Sequence, residues 1–149
     1  MTKTQQAPVL ATFLADRWEQ SAKKMAELAA TFPESKLEWR PVGGVRSYGG
    51  VLRHVAFWNR YLADCLNGKQ ANDTLNELPI TDYPTKAKIL EGLHRTSQDV
   101  CRALRALPRM ADRQTLELAV TFIEHNSEHY GQLAVYARLA NVVPPASHG

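Results

Sequence analysis

Cysteine is scarce in this chain: Cys65 and Cys101 are the two in 149 residues, and neither has a CxxC neighbour. That spacing excludes a zinc ribbon or a dithiol redox pair, and each cysteine falls within an apolar helical pattern, where a reduced core role is expected. Long hydrophobic runs are missing as well. No stretch reaches the roughly 18 apolar residues of a membrane span, and Met1 to Gln6 is polar where a signal peptide would be apolar. A cytoplasmic protein is expected, with no membrane as partner. Charge of one sign is not concentrated either. Lys and Arg number 18 against 15 Asp and Glu, for a formal net charge of +3, and the signs are interspersed. No basic patch for nucleic acid results.

What the chain does have is 44% hydrophobic residues, enough in 149 residues to bury one substantial core. A single domain over 1–149 is expected, with loose tails at 1–6 and 144–149. Between Pro8 and about Thr31, Leu10, Phe13, Leu14, Trp18, Ala22, Met25, Leu28 and Ala29 recur at three-and-four spacing, which predicts a first amphipathic helix. Pro33, Pro41 and Gly43-Gly44 make the next segment a loop. Ser47 is placed to cap a second helix carrying Val51, Leu52, Val55, Trp58, Leu62 and Cys65, which stops near Asn67-Gly68.

The segment Lys69 to Pro84 is polar, interrupted by prolines and long for a simple turn. It is long enough to run the length of the bundle, which would allow helices two and three to lie parallel; antiparallel packing stays open. A third helix starts at Thr85, is weakened locally by Gly92, and ends before Pro108. A fourth runs from about Arg113 to Ala140, ahead of Pro144-Pro145. Four amphipathic patterns, no credible strand and no internal repeat predict an all-α four-helix bundle.

Within the fourth helix His125 and His129 are four residues apart and leave the same face, about one turn from each other. That face also carries Leu118, Phe122 and Tyr136, so the imidazoles point inward, close enough to share one cation. His54, beside Val51, Trp58, Tyr61 and Cys65 on the second helix, is the natural third ligand. Three neutral imidazoles leave a coordination position open, as a catalytic metal requires. The other reading open to each is an inward core histidine. His94 and His148 have no such partners and are assigned to surface or loop.

The run His125-Asn126-Ser127-Glu128-His129 also spells HxxEH, the inverted zincin pattern in which the glutamate is the general base. Such a site needs a further acidic ligand downstream, and none of the 20 residues after His129 is acidic. Glu128 lies about 100° around the helix from His129, and a solvated carboxylate is its plain reading.

The stretch HNSEHYGQL from His125 to Leu133, followed by Tyr136, Arg138-Leu139 and Pro144-Pro145, resembles the last helix of the DinB-like, YfiT-related superfamily. Leu37-Glu38-Trp39-Arg40-Pro41 resembles its first loop, and Ser47 to Leu62 its second helix, with the ligand histidine at His54; the stretch Lys69 to Leu107 matches least. The resemblance implies an up-down-down-up bundle with a crossover between helices two and three, and a divalent cation, nickel or zinc foremost, on His54, His125 and His129. It further implies a small-molecule substrate, with thiol-dependent transferases and isomerases among the relatives, and a homodimer as a common assembly. Trp58, Tyr61, Phe122 and Tyr136 are candidate pocket-lining residues, with core packing as the alternative role. Gln132 is a candidate hydrogen-bond partner beside the site, or a bridge between helix backbones, and Gly131 is expected to permit close helix approach. Two functions follow: a metal-dependent thiol transferase or hydrolase, or a non-catalytic metal- or ligand-binding stress-response bundle.

Overall fold

The computed structural model describes residues 8–148, so the expected loose segment 1–6 lies outside the described residues. Four helices carry the fold: α1 (Val9–Thr31), α2 (Tyr48–Leu66), α3 (Lys86–Arg105) and α4 (Arg113–Leu139). The starts of α2, α3 and α4 follow from capping chemistry. The Ser47 hydroxyl accepts from the Gly50 amide at 3.0 Å, Thr85 from Lys88 at 3.2 Å, and Asp112 from Thr115 at 2.7 Å. Their ends are equally local. Phe32 turns extended ahead of Pro33, and α2 and α4 close on residues with left-handed backbone, Gly68 (φ 69°) and Asn141 (φ 62°).

The buried apolar residues report the direction of each helix. One cluster joins Ala11 to Trp18 of α1, Leu62 and Ala63 of α2, Val100 and Leu104 of α3, and Ala119 and Phe122 of α4. The starts of α1 and α4 therefore sit with the ends of α2 and α3, which is the up-down-down-up order. The other cluster joins the opposite ends, from Met25 to Phe32, Val51 to Phe57, Ile89 and Leu93, and Leu133 to Ala140. Helices α2 and α3 are parallel neighbours, and α2 also packs on α4.

Parallel α2 and α3 require a connection that returns along the bundle, and residues 67–85 provide it. This crossover is bonded to the helices it passes. Leu78 is fully buried in the core, and its amide donates to the Arg53 carbonyl at 3.2 Å. The Arg53 guanidinium, 2% exposed, binds both oxygens of Glu38 at 2.8 and 2.9 Å and donates to the Tyr83 carbonyl at 3.3 Å. One buried cation thus joins the first loop, α2 and the crossover. Glu38 also accepts from the Ser47 hydroxyl at 2.8 Å; the Arg53 bond, with Ser47 second among the favourable contacts, holds its carboxyl below the ordinary range.

Several expectations are corrected by packing. Leu10 and Phe13 are exposed, and the inward stripe at the start of α1 is made of Ala11, Leu14, Ala15 and Trp18. Cys65 and Cys101 are free but only half-buried, and the Cys101 thiol donates to Glu19 at 3.0 Å. Gly131 faces open space, so it permits no close helix approach; Gly92 does, with the Tyr83 ring against α3. Residues 144–148 are not loose: Pro144 is buried, a 3-10 turn at Pro145–Ser147 packs on α1, and Arg138 donates to Ser147 at 2.8 Å.

A Cβ at position 92 would stand 2.8 Å from the Tyr83 ring. Gly92→Val should therefore lower unfolding free energy by about 1–3 kcal/mol, against the helix-propensity gain of leaving glycine. Urea unfolding checks this, and wild-type stability would show that the crossover ring yields freely.

Candidate metal centre

Antiparallel packing of α2 on α4 brings His54 against His125 and His129. The spacing of His125 and His129 on one face gives ring centroids 4.5 Å apart, and the His54 ring lies 5.1 Å from the first and 4.7 Å from the second. The candidate ligand nitrogens of all three lie within 4.8 Å of one another. His54 is buried, at 7% exposure, and the other two are half-buried.

Hydrogen bonds decide which nitrogen faces the centre. The Nδ1 of His54 is 2.7 Å from the Asn76 carbonyl, which only accepts, so Nδ1 carries the proton and Nε2 presents its lone pair inward. A longer relay sets His129. The Arg46 carbonyl accepts from the Tyr136 hydroxyl at 3.0 Å, which accepts from the Gln132 amide nitrogen at 3.2 Å. That turns Oε1 of Gln132 to the His129 Nδ1 at 2.8 Å, so this Nδ1 also donates and Nε2 is left bare. His125 Nδ1 is buried without a partner, while its Nε2 is 3.2 Å from the Nε2 of His54.

The donor set fits a divalent cation. Two imidazole nitrogens at about 2.0–2.1 Å from one ion, at neighbouring positions in tetrahedral or octahedral geometry, stand roughly 2.8–3.4 Å apart, and the His54–His125 separation of 3.2 Å falls in that range. Charge points the same way. Burial, then the neighbouring His129, depresses the His125 pKa to about 3. Burial likewise depresses His54 to about 4, with Arg46 and His129 adding to the effect and the Asn76 bond opposing it. Both rings are neutral at pH 7, the form in which imidazole binds metal.

The remaining residues take mixed places. Gln132 is a hydrogen-bond partner of His129, and Tyr136 is buried in the relay behind it. Trp58 borders His54 and His125, with ring centroids 6.3 and 6.5 Å away, and stacks on Phe122; Tyr61 packs on Trp58 and Phe122. Trp58, Phe122 and Tyr61 join the core next to the centre. Glu128 is exposed and outside the cluster, which removes the HxxEH peptidase reading. His94 and His148 are exposed, as expected.

Sequence reasoning passed over two features. Asn76, in the polar crossover, adopts left-handed backbone (φ 60°) and accepts from Trp58 Nε1 at 2.8 Å as well as from His54. A cavity of about 780 Å³ opens beside His129 and Gln132, lined by Arg40, Arg46 and Arg53 with Glu38 and Glu77. Arg53 is paired with Glu38 and Arg46 with Glu77 at 3.2 Å. Arg40 donates to the Val45 carbonyl and has no carboxylate partner among the described residues, so the lining keeps a positive excess.

A family model described as the DinB superfamily matches residues 17–133, most of the chain and all three histidines. The chain belongs to the DinB superfamily. No curated protein matches it. The four helices and the three-histidine cluster fit that membership, and no helix among the described residues is long and apolar enough to cross a membrane.

Two outcomes are expected. Gln132→Leu, which removes the acceptor of His129 Nδ1, should weaken metal binding about 10–100-fold without unfolding the chain, read by competition with a chelating dye; unchanged affinity would deny the relay its role. The metal-free protein should lose stability as acidity rises. The folded pKa values of His54 and His125 lie below the unfolded value near 6.5, so the unfolded chain takes up protons first. Stability is full above about pH 6.5 and falls progressively toward about pH 4 and below. Urea midpoints measured across that window, set against His125→Leu, test the sign.

Proposed function

We propose that this DinB-superfamily protein is a metal-dependent enzyme that transfers a low-molecular-weight thiol to a small anionic electrophile, with hydrolysis of a small substrate as the neighbouring chemistry. Nickel or zinc is the favoured ion, since three neutral imidazoles suit either. The observation that carries the reading is the one-sided donor set. Three histidine nitrogens converge from α2 and α4, and beside His129 lies a cavity large enough for a small molecule.

When bound, a divalent ion there supplies Lewis acidity and lowers the pKa of a thiol or water. The protein's own groups do the rest. Asn76 and Gln132 hold His54 and His129 in the tautomer that exposes Nε2. Arg40 and Arg46 face the cavity, where a substrate carboxylate finds guanidinium donors. The half-buried Cys101, its thiol pushed above the ordinary value by burial and by the Glu19 bond, lies outside this cavity, which favours a thiol brought in as co-substrate over a protein nucleophile. The free cysteines suit a reducing compartment such as the cytoplasm.

Elemental analysis of native protein, combined with thiol-consumption assays using glutathione, bacillithiol and mycothiol against carboxylated electrophiles, tests the reading. Metal-replete protein should turn over and His54→Ala should lose both metal and turnover. Arg46→Met, which keeps the backbone carbonyl of the relay, should raise KM for a carboxylated electrophile about tenfold with less effect on kcat. Tight metal binding whose removal lowers Tm, without turnover on any pair, would instead make this a non-catalytic bundle in which the ion joins α2 to α4.

A further inference from the structure

The core is interrupted midway along the bundle. Its two apolar clusters meet Trp18 and Met25 on α1, Phe57 and Leu62 on α2, Leu93 and Val100 on α3, and Phe122 and Leu133 on α4. Three of the buried polar residues, Asn59, Thr96 and Asn126, fall between those limits on their helices. Thr96 is satisfied, its hydroxyl donating to the Gly92 carbonyl at 2.8 Å. The two amides are not. Asn59 (3% exposed) has Oδ1 without a partner, and Asn126 (1% exposed) has neither Oδ1 nor Nδ2 bonded.

Both amides line one cavity of about 380 Å³ that opens to the surface between α1 and α3. Small residues, Ala22 and Ala26 on α1 and Ser97 on α3, flank it; Trp18, Met25 and Leu93 give it apolar walls. The space is many times the roughly 30 Å³ of one water and falls within the usual range of about 300–1,000 Å³ for small-ligand sites. Buried amides with no partner destabilise a fold, and leucines of similar volume would fill these positions without that cost.

We propose that this cavity is a second binding site, separate from the histidine centre, for a small neutral ligand with an apolar body and a carboxamide-like head. The three orphaned atoms define the head. Asn126 Nδ2 donates to its carbonyl, while Asn59 Oδ1 and Asn126 Oδ1 accept from its two N–H groups. Turning either amide plane exchanges the roles and leaves a donor–acceptor head as the match. A charged head finds no buried counter-charge. The ionic residues of the lining, Glu19, Lys23 and Glu27, are exposed at the rim, and Glu19 is engaged by Cys101 and Arg105.

Benzamide is the probe, with benzoate and toluene as controls, titrated into the full-length protein and followed by the Asn side-chain NH2 signals in 15N-correlated NMR and by Trp18 fluorescence. The expected result is saturable binding of benzamide with Kd on the order of 1 mM, at least about tenfold tighter than either control. Two variants that act from different sides, Asn126→Leu in the floor and Ala22→Phe at the mouth, should each weaken it about tenfold or more while keeping wild-type helicity and metal content. No saturation by about 10 mM, equal binding of benzamide and toluene, or binding unaltered in Ala22→Phe would overturn the proposal. So would a crystal soaked with benzamide that shows ordered water alone on Asn59 and Asn126.

Discussion

Parallel packing of α2 and α3 is the constraint from which the rest of this structure follows. Parallel neighbours cannot be joined by a tight turn, so a long segment must travel back along the bundle, and a segment that long needs its own attachments. Leu78 in the core, Tyr83 on Gly92, and the Arg53 guanidinium shared between Glu38 and the Tyr83 carbonyl are those attachments. The crossover then serves the site directly. Its Asn76 carbonyl is the group that fixes the His54 ring, so the first histidine is oriented by the segment that topology made necessary.

The second histidine is oriented by a different route to the same end. Backbone carbonyls terminate both hydrogen-bond paths, Asn76 directly at His54 and Arg46 at the far end of Tyr136 and Gln132. A carbonyl cannot donate, so the direction of every bond in each path is determined, and with it the tautomer of each ring. At His54 and His125 the neutral ring is the form that burial favours. At His54 the Asn76 bond chooses the tautomer while burial, against that bond's upward pull, keeps the ring neutral; at His125 burial and the neighbouring histidines do so, which is why both groups are compatible with a stable fold at neutral pH.

The four helices and the histidine trio were legible because each rests on a local signal: helical periodicity, a cap residue, a proline, an i,i+4 pair. Ser47 and Thr85 do cap, and His125 and His129 do share a face. What escaped depends on partners distant in sequence. Leu78 reads no differently from Leu75 and Ile80 in the same polar segment until its burial is seen, and Asn76 carries no periodic signal because its contribution is a carbonyl and a left-handed φ. Arg40 and Arg46 are ordinary loop arginines until the fold turns them toward one cavity with His129. Gly131 misled for the converse reason: glycine in a helix suggests close approach, but only neighbours in space decide whether anything approaches.

Trp58 shows how these levels join. Its place among apolar residues at helical spacing admitted two roles, pocket wall or core, and its packing supports a third. It is partly buried against both apolar clusters, so it spans the polar layer that divides them. One face stacks near Phe122, the indole N–H holds the side chain of Asn76, and the ring edge borders His54 and His125. The interruption at Asn59 and Asn126 weakens cohesion along the bundle axis at the level of His125. A large, rigid ring that crosses that level restores part of the lost contact while fixing the loop that orients His54. The residue that bridges the two halves of the core is thus also one that positions the histidine centre, which couples the cost of a polar interior to the geometry it makes available.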